Sequence, residues 1–380
     1  MQTCRTTTNF GLLAVIMTGM LVMPSTSALA ADETVAVTDI VGRVVTLPHP
    51  ARKIVMAEGR QIIALSLIDP APIDLLAGWL GDFRKNDSQT YALYRKRFPK
   101  IDSIPVLGLG NDGTFSVERA ISVHPDVAIL GLGFAPGGHA NDIARQLEAA
   151  GIPVVFTDFL LDPFHHTTAS VRILGKVIGR STQAEDFISF YESHMRTIAE
   201  RLSHSAVNRP SILVETHAGM ADCCFAPGHG NIGSFVDFVA VDSISAPVIP
   251  GPAGHLGLEY VLAKDPEIYV ATGGAHLAAT GGLVIGPGYS AEDIQKRLAM
   301  LIARPGFSGL RAVRDRRVHG LFHNLLTSPL NILAVENLAK WGHPKLFTDL
   351  DPAQTMAEIN RRFLAVPMEG IYWSDLQTPP

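Results

Sequence analysis

A unit of helix, proline and strand occurs twice in this chain, and the repetition strongly limits the folds open to it. Residues 116–129 read SVERAISVHPDVAI and residues 257–270 read GLEYVLAKDPEIYV. In each copy a glutamate is followed by a proline, an acidic residue and an apolar run typical of a buried strand. Two copies so far apart indicate two similar α/β units and exclude a solenoid of short repeats. A chance likeness of two such units is the alternative interpretation.

Short apolar runs alternate with helical patterns along most of the chain. The apolar runs are Lys53–Ala57, Val127–Leu130, Val154–Phe156, Ile212–Val214, Ile268–Ala271 and Val318–Phe322. Helical patterns lie between several of them, at Asn141–Ala150, Thr167–Ile178, Ile232–Val239 and Ala291–Ile302. Short buried strands that alternate with helices are typical of parallel sheets covered on both faces. The predicted fold class is therefore α/β, with two doubly wound lobes.

One segment midway along the chain, 181–205, differs from the rest because it contains no glycine or proline. Its apolar residues recur at spacings of three and four, at Ala184, Phe187, Ile188, Tyr191, Met195, Ile198 and Leu202. This pattern predicts one long amphipathic helix of about seven turns. Such a helix can join two lobes as a strut, or it can pack wholly on one lobe. We predict an N-terminal lobe over 31–180, a linker helix over 181–206, and a C-terminal lobe with C-terminal helices over 207–380.

The first thirty residues have the pattern of a signal peptide. Arg5 precedes an apolar run from Phe10 to Met23, and small residues follow up to Ala30. We expect cleavage after Ala30 and export to the periplasm; an N-terminal membrane anchor is the alternative. Removal of this segment takes Cys4 with it and leaves Cys223 and Cys224. Neighbouring cysteines cannot form an ordinary staple, so they are two small thiols, a vicinal disulfide or a redox-sensitive ligand contact.

Composition and motifs exclude several classes of function. The chain has 31 basic and 36 acidic residues and no run of Lys and Arg, so no nucleic-acid partner is predicted. It contains no G-x-S-x-G, no H-E-x-x-H and no P-loop, and no zinc-type array of cysteines. We therefore expect no enzyme and no cofactor. A secreted hydrolase with Ser, His and Asp dispersed along the chain is the rival hypothesis.

Four ordered motifs and the doubled glutamate unit carry a family resemblance. The motifs are TDIVGRVVTLP at 38–48, LEAAGIPV at 147–154, LGKVIG at 174–179 and LRAVRDRRVH at 310–319. From Thr38 to its C-terminus, the chain resembles the periplasmic substrate-binding proteins of ABC importers. The class it is similar to has a helical backbone between its lobes and serves iron–siderophores, haem and cobalamin.

This resemblance implies a function and its partners. We expect an exported, monomeric solute-binding protein that captures a metal chelate, foremost a ferric siderophore, and delivers it to an ABC permease dimer in the inner membrane. Iron would then be present only as part of the bound chelate. Haem or cobalamin, or a bare transition metal ion, are the alternatives. By resemblance, Glu118 and Glu259 dock the permease, one from each lobe.

The ligand cleft is expected between the lobes, at the C-terminal ends of the strands, where ligands bind in open α/β sheets. Arginine can pair with the oxygen donors of an anionic chelate, and aromatic rings can stack on ligand rings. The candidate ligand contacts near these ends are Arg60, Trp79, Arg84, Phe134, His217, Phe225 and His323. Other polar or sulfur-bearing residues nearby are Glu58, Cys223, Cys224, His255, His276 and Asn324.

Overall fold

Two α/β lobes joined by one long helix make up the protein in a computed structural model, which describes residues 1–8, 34–110, 112–133, 139–206 and 208–377. The apolar run and cleavage site of the predicted signal peptide lie outside the described residues, as does Phe134. Among the helices described, none combines the length and the apolar character needed to cross a membrane.

The N-terminal lobe is built on a sheet of four parallel strands in the order β4-β3-β5-β6. These strands are β3 Ile54–Met56, β4 Leu76–Trp79, β5 Val127–Gly131 and β6 Val154–Thr157, and a hairpin of β1 Val35–Thr38 and β2 Val44–Leu47 precedes them. The helices of this lobe are α1 Ile62–Ser66, α2 Asp82–Asn86, α3 Ser88–Arg97, α4 Val117–Ser122, α5 His139–Ala149 and α6 Pro163–Val177. Short 3-10 turns lie at Gly59–Gln61, Pro72–Leu75, Pro99–Ser103 and Asp112–Thr114.

The C-terminal lobe follows helix α7, Ser181–Ser203, and has a five-stranded sheet in the order β13-β12-β11-β7-β9. Its strands are β7 Ser211–Glu215, β9 Asp242–Ser243, β11 Ile268–Gly273, β12 Val318–Phe322 and the antiparallel edge strand β13 Trp373–Asp375, beside a hairpin of β8 Phe225–Pro227 and β10 Ala253–His255. Its helices are α8 Asn231–Phe238, α9 Leu258–Lys264, α10 Ala291–Ile302, α11 Arg311–Arg314, α12 His323–Leu326, α13 Asn331–Gly342 and α14 Pro352–Arg362. Two 3-10 turns lie at Ala275–Leu277 and Phe307–Gly309.

Both sheets have the same topology, which confirms the repeat seen in the sequence. In each sheet the first strand is central, the second strand lies on one side of it, and the third and fourth lie on the other. The two sequence copies become α4 with β5 and α9 with β11, and each strand is the third of its sheet. All six predicted strands are present. Strand β4 was not predicted, because its Leu-Ala-Gly-Trp sequence contains no β-branched residue.

Helix α7 packs against both lobes, so the alternative of a helix packed on one lobe is wrong. It lies on α6 of the first lobe and on α13 of the second. The Arg172 guanidinium bonds Glu185 at 2.6 Å, and His194 Nδ1 lies 2.7 Å from the buried Glu336 carboxylate of the second lobe. The helix ends two residues before the predicted Ser205.

Direct contacts also join the lobes beside the linker. Asn324 donates to Asp87 at 2.8 Å, and Asn331 donates to the Thr167 hydroxyl at 2.8 Å. The Ala365 backbone N–H bonds the Ser66 carbonyl, so the segment after α14 contacts the first lobe. Helix and contacts together hold the C-terminal edges of the two sheets toward each other.

We expect Phe187→Ala to lower the free energy of unfolding by about 3–5 kcal/mol, because it leaves a cavity in a packed core. The Phe187 side chain is fully buried, and its ring meets Phe363 edge-on at 5.4 Å. Denaturant unfolding measures the loss. Asp186→Ala, on the exposed side of the same helix turn, is the control and should change stability by less than about 0.5 kcal/mol. Equal losses in both variants would show that the buried face of α7 does not carry the packing.

Candidate functional site

The side of each lobe that faces the other carries polar residues one to three positions after the strands of the two sheets. Glu58 and Asp82 follow β3 and β4 in the first lobe. His217, His276 and His323 follow three adjacent parallel strands of the second lobe, β7, β11 and β12. Since all these strands present their C-terminal ends to the cleft, five chemically active side chains converge there.

Three imidazoles form one cluster on the second lobe. His217, at a turn with φ of 52°, shares a 2.8 Å hydrogen bond between its Nδ1 and Nε2 of His276. The ring centroids of His217 and His323 are 4.0 Å apart. The buried Thr272 hydroxyl accepts from the His217 backbone N–H at 3.1 Å and lies 3.0 Å from His323 Nδ1. A strand residue therefore holds two of the three histidines in place.

These imidazoles are kept neutral by their surroundings. Burial lowers the pKa of His217 to about 4, and the charges of His276 and Arg60 act in the same direction. Burial also lowers the pKa of His276, and it lowers the pKa of His323 well below the usual range, again with Arg60 contributing. Neutral imidazole has a free nitrogen lone pair, the form that coordinates metal ions. Because the Arg60 charge acts on two of these rings, this side chain of the first lobe lies near the cluster.

The first lobe presents a compact charged network around Arg60. The Arg60 guanidinium bonds Glu58 Oε1 at 2.5 Å, and Gln61 donates to Glu58 Oε2 at 2.7 Å. The Asp82 carboxylate accepts from the Gly59 backbone N–H at 2.7 Å. A Cβ at Gly131 would lie 1.6 Å from Glu58 Oε2, so only glycine at the end of β5 leaves room for this carboxylate.

An ion pair between Arg304 and the buried Glu215 anchors the loop that carries His217. Arg304 forms two bonds to the Glu215 carboxylate, at 2.8 and 2.5 Å, and Glu215 also accepts from the Tyr269 hydroxyl at 2.7 Å. Arg304 further donates to the Asp222 carbonyl at 3.3 Å. The pair thus ties the last residue of β7 to the far end of the loop, with His217 between them.

Cys223 and Cys224 form a vicinal disulfide in the same loop. The Cys224 N–H and carbonyl pair with those of Leu256 at 3.2 and 3.0 Å, which extends the β8–β10 hairpin. The sequence left three interpretations of these two cysteines, and the structure shows the vicinal disulfide.

The candidate ligand contacts separate into those that meet at the cleft and those that do not. Arg60, His217 and His323 come together, and Arg84 lies exposed on α2, which packs against the turn of His276. The Trp79 side chain is 2% exposed and packs in the core against Phe83 and Tyr91, so its indole does not reach the cleft.

Phe225 lies on the hairpin of the second lobe, against His255 at 5.1 Å, and Phe134 lies outside the described residues. The sequence places Glu58 and His276 near strand ends, but neither is among the seven candidate ligand contacts. Asp82 was missed because β4 was missed. The signal that would have identified all three is their position after a buried strand.

We expect Asp82→Asn to be more stable than wild type above pH 6. Burial raises the pKa of Asp82 from 3.8 to about 6, opposed by Arg60 and the Gly59 N–H. Between these two values the folded chain binds a proton that the unfolded chain does not, so stability falls as pH rises. The loss totals about 3 kcal/mol and is absent in the Asn variant. Unfolding curves from pH 3 to 8 measure it. Parallel pH profiles for both proteins would contradict the expectation.

The comparisons with known proteins agree with this architecture. Residues 68–323 match the sequence profile of a family described as periplasmic binding protein, whereas no curated protein matches the chain. The TroA-like periplasmic binding protein FepB of Veillonella parvula superposes with a TM-score of 0.82 at 23% identity, covering 90% of this chain and 100% of that chain.

Two further solved structures are similar at lower scores. The molybdate-bound periplasmic binding protein MolA of Haemophilus influenzae has a TM-score of 0.65 and 17% identity, covering 88% of this chain and 99% of its own. CeuE of Helicobacter pylori, in a Ni-His complex, has a TM-score of 0.62 and 16% identity, covering 89% of this chain and 97% of its own. At such identities the likeness establishes the two-lobed fold alone. Because the family profile spans well over half of the chain, this protein belongs to the periplasmic binding protein family of ABC transporters.

Proposed function

We propose that the protein captures a metal chelate, foremost a ferric siderophore, in the cleft between its lobes and delivers it to an ABC permease. Family membership already implies a periplasmic location, a permease partner and the binding of a small solute. The observation that carries the proposal is the cluster of three neutral imidazoles at the C-terminal ends of β7, β11 and β12.

Neutral imidazole nitrogen is a common ligand of transition metals, iron included. A surface histidine is partly protonated near neutral pH, whereas burial keeps these three rings in the ligating form. Their placement on rigid strand ends, with Thr272 bonded to two of them, reduces the ordering needed when a metal complex enters.

The same cluster favours a chelate over a bare metal ion. Among the residues described, no group of three or more His, Cys, Asp or Glu side chains is arranged to hold a metal ion. His217 and His276 use one ring nitrogen each on the other, and His323 Nδ1 lies against Thr272. A bare metal ion needs several converging ligands from the protein. A chelate already fills most coordination positions of its metal, so one imidazole nitrogen of the protein is enough for a position left open.

Delivery requires a surface that the permease can recognise. Glu118 on α4 and Glu259 on α9 are exposed, and they occupy equivalent positions of the two lobes. The Ser116 hydroxyl holds Glu118 at 3.1 Å. One carboxylate on each lobe can pair with basic residues of a two-subunit permease and fix the orientation of the complex.

We expect His323→Ala to weaken binding of the ferric complex of a tetradentate dihydroxamate at least tenfold, or about 1.4 kcal/mol. This complex leaves iron positions open for an imidazole. Quenching of tryptophan fluorescence measures binding, with haem, cobalamin and free divalent ions as further arms. His204→Ala, an exposed histidine after α7, is the control. Unchanged affinity in a folded His323→Ala protein would refute the role of the cluster.

We expect the double variant Glu118→Ala, Glu259→Ala to bind the ferric complex like wild type but to support little import. Both carboxylates are exposed in the first turn of their helices, so we expect their loss to remove contacts to the permease and to leave ligand contacts intact. Uptake of iron into cells or permease vesicles, beside fluorescence titration of the purified variant, separates the two effects. Weakened ligand binding, or normal import, would show that these glutamates have another role.

A further inference from the structure

An arginine in a ligand cleft suggests a positively charged site, but the arginine of this cleft is paired with carboxylates. Arg60 lies near the histidine cluster, and an unpaired arginine there would attract anionic chelates. However, Arg60 is already bonded to Glu58 at 2.5 Å, and Asp82 lies close enough to influence it as well. Two carboxylates thus lie near one guanidinium, which gives this side of the cleft an excess of negative charge.

Glu58 is held firmly in this ion pair, whereas the Arg60 side chain is 30% exposed and bonds Glu58 through one of its nitrogens. The Glu58 side chain is 7% exposed and accepts from Arg60 on one oxygen and from Gln61 on the other. Gln61 is in turn held by the Thr157 hydroxyl at 3.2 Å, at the end of β6. The space that Gly131 leaves open holds this carboxylate. A ligand carboxylate that drew the Arg60 guanidinium away from Glu58 would leave a buried carboxylate without its cation. Such an unpaired buried charge costs free energy and so weakens binding.

Arg84, a second arginine near the cleft, does not replace Arg60. The Arg84 guanidinium is exposed and lies 5.8 Å from the centroid of the Tyr91 ring, where water and salt screen its charge. Asp82, whose pKa is about 6, carries most of its negative charge at pH 7. Glu58, Asp82 and Arg60 together therefore carry a net negative charge at neutral pH.

We propose that the cleft is a charge filter that admits metal complexes without net negative charge, and that Glu58 is the residue that sets this selectivity. The proposal rests on the proposed function and narrows it to one class of chelate. A fixed buried charge selects between ligands because it repels a ligand of like charge, or leaves a charged group of that ligand without a partner. Neutralising Glu58 frees Arg60 for an anionic donor.

Two synthetic ferric complexes test the filter, because they differ in charge and leave the same iron positions open. A tetradentate dihydroxamate gives a singly positive complex, and a tetradentate dicatecholate gives a singly negative one. Fluorescence titration of the full chain should show that wild type prefers the positive complex at least tenfold, or about 1.4 kcal/mol. Glu58→Gln should bind the negative complex at least tenfold more tightly than wild type does.

Matched variants distinguish the filter from a general effect of charge. Glu148→Gln removes an exposed carboxylate from the same lobe and should leave both affinities unchanged. Asp82→Asn should shift selectivity in the same direction as Glu58→Gln by a smaller factor, which keeps the test decisive if Glu58→Gln does not fold. Equal wild-type affinities, or selectivity unaltered in both cleft variants, would overturn the filter alone. Binding of neither complex to any variant would overturn the proposed function as well.

Discussion

Helix α7 is the constraint on which the rest of the structure depends. It runs for 23 residues without glycine or proline, and it is bound to the first lobe through Glu185 and to the second through His194. A straight helix packed at both ends fixes the distance between two sheets that are otherwise separate. The C-terminal edges of these sheets therefore face each other, and a cleft lies between them. A rigid connection of this kind suits small closing movements better than a wide hinge.

The chemistry of the cleft follows from this arrangement. Each lobe brings a different kind of group to the same space: the first brings an ion-pair network around Arg60, and the second brings three imidazoles. The two lobes act on each other, because the Arg60 charge on the first lobe helps to lower the pKa of His217 and of His323 on the second. Polar contacts such as Asn324 to Asp87 bring the lobes close enough for this coupling.

The similar structures show why fold alone does not identify the ligand. One is bound to molybdate, an anion, and another is a nickel–histidine complex, yet both share the two-lobed architecture. The framework provides a cleft, and a few side chains after the strands select what enters it. In this chain those side chains combine three neutral imidazoles with a guanidinium that is paired with a buried carboxylate. This combination distinguishes the proposed ligand class from a simple anion.

Local patterns of the sequence were enough to predict the two lobes, the helix between them and six strands, because periodicity and proline stops depend on near neighbours. They also indicated that His217 and His323 follow strands. Only the tertiary structure brought His276 against His217 and buried Trp79 in the core. It also paired Glu58 with Arg60, in a space that exists because residue 131 is glycine. Burial and partners arise from residues distant in the chain, and they determine whether an arginine is free to bind and whether a histidine is charged.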